Sequence, residues 1–242
     1  MGWYEVYLKD IEKKNNLDEY VKDKIKNKKV LIKLIKKYSK NNKLLESGSG
    51  TGVLSTYMAS LGYDVTAIDI DDDILNLSRK ISNRFNSTNK PTFINKSIFE
   101  LDYEYGCFDV SFSNGVLEHF EDNQIINTLK QQMKVSKYVI FGIPTKYFTN
   151  EEAMYGDERY MDYKCWRNLI YKANGKIIEE KSMHYMGIKN RMLNFKKYFK
   201  PFPFRIFVIE NSKLWYNKLK EWWILWLVLK EKLKLSILMF TK

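Results

Sequence analysis

Apolar positions along the chain follow two alternating periods. Through residues 1–40 they recur at helical spacing between lysines, as Tyr20, Val21, Ile25, Leu31, Ile32, Leu34, Ile35 and Tyr38. This predicts helices that lay an apolar stripe on a larger body. From Lys43 onward, short apolar runs alternate with helical patterns. Leu44-Leu45, Asp64 to Asp69, Pro91 to Ile94, Phe108 to Ser113, Tyr138 to Ile143 and Lys176 to Met183 read as strands. Between them, Val53 to Leu61, Ile74 to Phe85, Asn123 to Val135 and Trp166 to Ala173 read as helices, the last capped by Asn174-Gly175. Pro144 ends the fifth strand, since proline cannot extend a ladder. Strand and helix in alternation predict an α/β domain.

The stretch that organises this pattern is Leu44-Leu45-Glu46-Ser47-Gly48-Ser49-Gly50-Thr51-Gly52. Two apolar residues enter it, an acid stands at their end, and three glycines follow at alternate positions. Glycine admits positive φ and has no Cβ, so a ligand can lie against the backbone there. The following helix offers unpaired N–H groups towards that ligand. A tight turn with no ligand would need the same glycines, so the next element matters more. The second strand ends in Asp69, 17 residues after Gly52. A carboxylate at the tip of a neighbouring strand can accept both hydroxyls of a ribose, as in dinucleotide-binding folds. The spacing here, Glu-x-Gly-x-Gly-x-Gly, is not the Gly-x-Gly-x-x-Gly of those folds.

Glu46, Gly48, Gly50 and Gly52, then Asp69, then Phe108 to Phe120 resemble in order the motifs of the class I S-adenosylmethionine-dependent methyltransferases, small-molecule branch. The resemblance runs from about Lys43 to Met183. It implies a Rossmann-like, doubly wound, seven-stranded, mostly parallel sheet with helices on both faces, and S-adenosylmethionine as cofactor. It implies that Glu46 and the loop Gly48, Ser49, Gly50 and Gly52 hold the methionine end. Asp69 would hold the ribose, Ile70 would pack on the adenine, and Asn114 would touch the methionine part. The family usually places an Asp after the third strand for the adenine amino group. Ser97 stands there in this chain and can accept without charge, with the backbone of Ile98 as the other adenine contact. An N-terminal helix often covers the site in this family, which makes Tyr4 and Tyr7 lid candidates.

The chemistry of transfer points to Glu118-His119. His119 is the candidate general base, because an imidazole with an ordinary pKa near 6.5 suits proton removal from a hydroxyl or amine. The pair could instead orient the loop by hydrogen bonds. Leu-Glu-His here also resembles ubiquinone-pathway O-methyltransferases, in which acids and the His can hold a divalent metal. Those enzymes have a further Glu near the start of the motif, where this chain reads Ser113-Asn114-Gly115, and no metal is expected. His184 is the rival base. The triple acid Asp71-Asp72-Asp73 reads as a helix start, which favours negative charge. Tyr147, Arg159 and Tyr160, in the polar-aromatic segment after the fifth strand, are substrate-side candidates, or members of a salt-bridged surface loop. The fourth strand lacks the Asp/Asn-Pro-Pro-aromatic run of nucleobase amino-methyltransferases, which disfavours nucleic acid as acceptor.

Residues 186–232 are rich in Phe and Trp beside basic residues and read as an aromatic helical insertion before a last strand at 233–240. Such a segment could cover the cleft, pair two copies or meet a membrane surface. Its unbroken apolar run, Trp222 to Leu229, is too short to span a bilayer. The chain of 242 residues is read as one domain: N-terminal helices at 1–40, a cofactor-binding core at 43–183, then the insertion and last strand. With 41 basic against 29 acidic residues the net charge is +12, which favours anionic partners, though the lysines are spread along the chain. Two distant cysteines, Cys107 and Cys165, form no disulfide framework or zinc pattern. A cytoplasmic protein is expected, peripheral at a membrane if the aromatic segment binds one. The expected function is methyl transfer to an O or N of a small-molecule or lipid-like acceptor. The alternatives are a catalytically silent cofactor-binding protein and an RNA methyltransferase.

Overall fold

The computed structural model describes residues 2–148, 156–183 and 204–212. Three helices open the chain: α1 (Trp3–Glu12), α2 (Leu17–Asn27) and α3 (Lys29–Tyr38). The strands are β1 (Lys43–Ser47), β2 (Asp64–Asp69), β3 (Thr92–Asn95), β4 (Phe108–Asn114), β5 (Ser136–Pro144), β6 (Gly175–Met183) and β7 (Phe204–Asn211). Between them lie α4 (Val53–Ser60), α5 (Asp72–Asn83), α6 (Asp122–Val135) and α7 (Tyr163–Lys172), with a 3₁₀ turn at Leu117–His119.

Side chains at helix starts explain several boundaries. Asn16 accepts from the Glu19 N–H at the head of α2, and Asp71 accepts from Asp73 and Ile74 N–H at the head of α5. The triple acid is therefore a cap with a dipole-matched first turn. Glu121 and Gln124 form a reciprocal capping box on α6. Asp162 caps α7, and Asn174 takes the positive φ that ends it.

The seven strands form one sheet in the order β3-β2-β1-β4-β5-β7-β6. Strands β1 to β5 pair in parallel, and β7 runs antiparallel to both its neighbours. One face is covered by α3 and α4, which bury Leu31, Ile35, Leu54 and Met58 on Leu44, Val110, Phe112 and Ile140. The other is covered by α6 and α7, which bury Leu129, Met133, Trp166 and Ile170 on Val139 and Phe141. The strand order reverses between β1 and β4, so their carboxyl ends open a crevice where ligands bind in sheets of this kind.

The last strand differs from expectation. The strand beside β6 is Phe204–Asn211, inside the segment read as a helical insertion, and 233–240 lies outside the described residues. The reason is burial on both faces. Ile206 and Val208 join the α3/α4 core while Phe207 and Ile209 join the α6/α7 core. A strand between two others needs such a continuous apolar run, and Ile206-Phe207-Val208-Ile209 supplies it. Read as alternate aromatics, the same residues pass for a helix face. The Trp-rich part of the segment and His184 also lie outside the described residues.

Candidate active site

The loop after β1 takes positive φ at Gly48 (71°), Gly50 (51°) and Gly52 (64°). A Cβ at Gly50 would stand 2.5 Å from the Tyr7 hydroxyl, and one at Gly52 would stand 2.7 Å from the Phe93 ring. Its N–H groups are engaged within the protein. Gly48 and Ser49 donate to Ile68 O at 3.0 and 2.9 Å, Gly50 to Asp69 Oδ2 at 2.9 Å, and Gly52 to Ser49 O at 3.0 Å. The N–H of Ser55, in the first turn of α4, donates to Glu46 Oε2 at 3.0 Å. The expectation that the following helix presents unpaired N–H groups is corrected at Ser55. A pyrophosphate would need such donors. At these glycines the side chains that press on the backbone are the protein's own: Val116 at Gly48, Tyr7 at Gly50, and Phe93 and Ser78 at Gly52.

Two carboxylates frame the loop. Glu46, at 3 % exposure, accepts from the backbone and hydroxyl of Ser55. Burial pushes its pKa up to about 7, against the opposing pull of Lys28 and the Ser55 donors. Asp69 Oδ1 accepts from Ile70 N at 2.9 Å and Asp71 N at 3.4 Å. Burial raises the Asp69 pKa as well, against those donors and Gly50 N–H. Asp69 thus ties the glycine loop to the tip of β2.

A cleft of about 370 Å³ opens beside the loop, over the carboxyl ends of β1 and β4. Of the expected site residues, Glu46, Gly48, Ser49, Asn114 and His119 line it. Gly50, Gly52, Asp69, Ile70, Ser97 and Ile98 lie outside its wall. Ile70 is 71 % exposed, Ile98 is buried, and the Ser97 hydroxyl accepts from Phe99 N at 3.2 Å. Tyr7 marks the division: it lines the cleft and sets its hydroxyl over Gly50. Burial and the charge of Asp69 raise its phenol pKa. Tyr4 is not among the lining residues. The Asn114 amide oxygen is buried without a partner.

At the other end of the cleft stands the 3₁₀ turn. His119 Nδ1 bonds Asp157 Oδ1 at 2.5 Å, and the Trp3 ring meets the imidazole edge-on at 4.9 Å between centroids. Tyr160 lines this end and packs on Phe148 at 5.4 Å. Arg159 does not line the cleft. Its guanidinium bonds Phe120 O and Asp122, with Glu121 at 3.8 Å, so it fastens the loop to α6. Tyr147 stays outside too, under Lys146. No group of three or more His, Cys, Asp or Glu suited to a metal occurs among the described residues. Sequence reasoning missed Lys28, Phe148, Asp157 and Phe204 as neighbours of the cleft. Asp157 lies 38 residues from His119, and no local pattern links them.

Glu118 shares the cleft wall at 3 % exposure, and its Oε2 has no hydrogen-bond partner. Burial pushes its pKa up to about 8, and the charges of Glu158 and Asp157 add to the rise. The native state therefore keeps a proton that the unfolded chain releases near pH 4.5, and stability falls as pH rises through about 8. Glu118→Gln has no such proton to lose. At pH 9 the variant should melt roughly 3–8 °C above wild type, and at pH 5 at nearly the same temperature. Parallel melting curves across pH would show that Glu118 titrates normally.

A glycine loop at the switch point of a seven-stranded, doubly wound sheet, faced by an acid on the adjacent strand, defines a Rossmann-like fold. The sequence matches the methyltransferase-domain family over residues 38–199. The chain belongs to the class I S-adenosylmethionine-dependent methyltransferases, and S-adenosylmethionine is its cofactor. No curated protein matches the sequence. Among solved structures, it resembles magnesium protoporphyrin IX methyltransferase from Synechocystis with bound cofactor, at 14 % identity, TM-score 0.57, over 81 % of this chain and 84 % of that one. A methyltransferase from Methanosarcina mazei superposes with TM-score 0.58 at 14 % identity, over 74 % of this chain and 96 % of that one. The CcbJ methyltransferase from Streptomyces caelestis gives 0.57 at 13 % identity, over 74 % and 86 %. At such identities the likeness is one of fold. Glu46, Gly48, Ser49 and Asn114 line the cleft where the methionine end of the cofactor would lie, and the buried, unpartnered Ser49 hydroxyl and Asn114 amide oxygen are polar atoms that it could satisfy.

Proposed function

We propose that the enzyme methylates an oxygen or nitrogen of a small-molecule or lipid-like acceptor, held at the end of the cleft bounded by Trp3, His119, Phe148, Tyr160 and Phe204. The observation that carries this reading is the His119–Asp157 contact at the cleft wall. With Asp157 as acceptor, Nδ1 carries the imidazole hydrogen and Nε2 keeps its lone pair.

The cofactor supplies an electrophilic methyl group on a sulfonium sulfur. The chain's residues supply alignment and proton transfer. His119 Nε2 would take the O–H or N–H proton of the acceptor, leaving that atom's lone pair free for the methyl that the cofactor would supply. The aromatic walls hold the acceptor and keep water from the methyl.

Release of S-adenosylhomocysteine across a panel of phenols, amines and fatty acids would find an acceptor. With that acceptor, His119→Ala should lower kcat by about 10²–10⁴-fold and leave the affinity for S-adenosylhomocysteine within a factor of about 3. Activity within that same small factor of wild type would rule out His119 as the base.

A further inference from the structure

Among the described residues, one cation of the cleft wall has no contact partner. Lys28 stands at the junction of α2 and α3 and lines the cleft with Glu46, Gly48 and Ser49. The neighbouring cations are engaged: Lys14 pairs with Asp23 at 2.9 Å, and Lys24 pairs with Asp10 at 2.7 Å. These two pairs fasten α1 and the turn after it to α2. Among the described residues Lys28 makes no ion pair or hydrogen bond through its ammonium. It does feel the charge of Glu46, and Glu46 feels that of Lys28, without ion-pair contact between them. Beside them the Ser49 hydroxyl is buried with no partner. A cation and an anion held apart across a cleft wall, with a free hydroxyl nearby, match a small zwitterion.

We infer that Lys28 and Glu46 together bind the amino-acid head of S-adenosylmethionine, Lys28 taking its α-carboxylate and Glu46 its α-ammonium. The inference rests on the identity of the cofactor and adds Lys28, in the N-terminal helices, to the residues that hold it. The Ser49 hydroxyl is placed to give the carboxylate a second donor. Burial draws the Lys28 pKa down to about 8 in the absence of a ligand, a cost that a bound carboxylate would relieve. Entry of the zwitterion gives each buried charge an opposite charge at contact. It also ties the α2–α3 junction to the glycine loop.

The test is calorimetric binding of three ligands: S-adenosylhomocysteine, its decarboxylated analogue, and 5′-methylthioadenosine, which lacks the amino-acid head. Wild type should bind S-adenosylhomocysteine at least about 10-fold more tightly than the decarboxylated analogue. Lys28→Met, which keeps an apolar stem, should lose about 10- to 100-fold for S-adenosylhomocysteine. It should leave the other two ligands nearly unchanged, so that discrimination by the carboxylate disappears, and Lys28→Arg should restore part of it. Equal weakening for all three ligands, or no weakening for any, would overturn the assignment. Retained discrimination in Lys28→Met would place the carboxylate elsewhere. Failure of wild type to bind all three would instead remove the cofactor site itself.

Discussion

Replacing Asp69 with alanine weakens binding of S-adenosylhomocysteine by about 100-fold or more in calorimetric titration. Two losses combine. The carboxylate stands at the tip of β2, where a ribose diol can donate two hydrogen bonds to it, and each bond to a charged acceptor contributes about 1.5–3 kcal/mol. Asp69 Oδ2 also holds Gly50 N–H at 2.9 Å, so its removal frees the middle of the glycine loop. Asp69→Asn separates the two terms. An amide oxygen can keep the Gly50 contact but brings no charge and only one acceptor, so about a 10-fold loss is expected. An alanine variant that bound within a factor of about 3 of wild type would exclude Asp69 as the ribose ligand.

Gly52→Ala should be the most destabilising single methyl in the loop. At φ of 64° a Cβ is strained in any surroundings, and here it would also meet the Phe93 ring at 2.7 Å and Ser78 Cβ at 2.8 Å. Ser78 has little freedom to move, because its hydroxyl donates to Gly50 O at 2.6 Å and Ile74 O at 2.9 Å. Strain and overpacking together cost about 2–5 kcal/mol, which lowers Tm by roughly 5–15 °C. Gly62→Ala is the control: its φ is 94°, yet a Cβ there meets nothing within 4 Å. A Gly52→Ala melting temperature no lower than that of Gly62→Ala would mean that the contacts around Gly52 yield freely.

The motifs that lie within one turn or one strand were legible in the sequence. Glu46, the alternate glycines and Asp69 carry their meaning in local spacing, and the structure joins them through Gly50 N–H and Asp69. The doubly wound sheet was implied by the family resemblance, and the strand order does reverse between β1 and β4. Less legible were residues whose significance depends on tertiary contact. Lys28 reads as one lysine among many until the fold sets it in the cleft wall. Asp157 reads as a surface acid until its loop returns to His119. Arg159 was read as a substrate contact or a member of a salt-bridged loop, and the fold gives it to Phe120, Glu121 and Asp122. In β7, apolar residues facing both cores obscured the period of two that marks a strand with one wet face.

The position of the bound cofactor decides the roles of Asp69, Glu46, Lys28 and His119 together. A crystal structure with S-adenosylhomocysteine should show the ribose diol on Asp69, the adenine beside Ile70 and Ile98, and the amino-acid head between Glu46 and Lys28. The sulfur should then point along the cleft towards His119. Electron density for the ligand away from the glycine loop, or a reversed ligand with its amino-acid head at Asp69, would contradict the account.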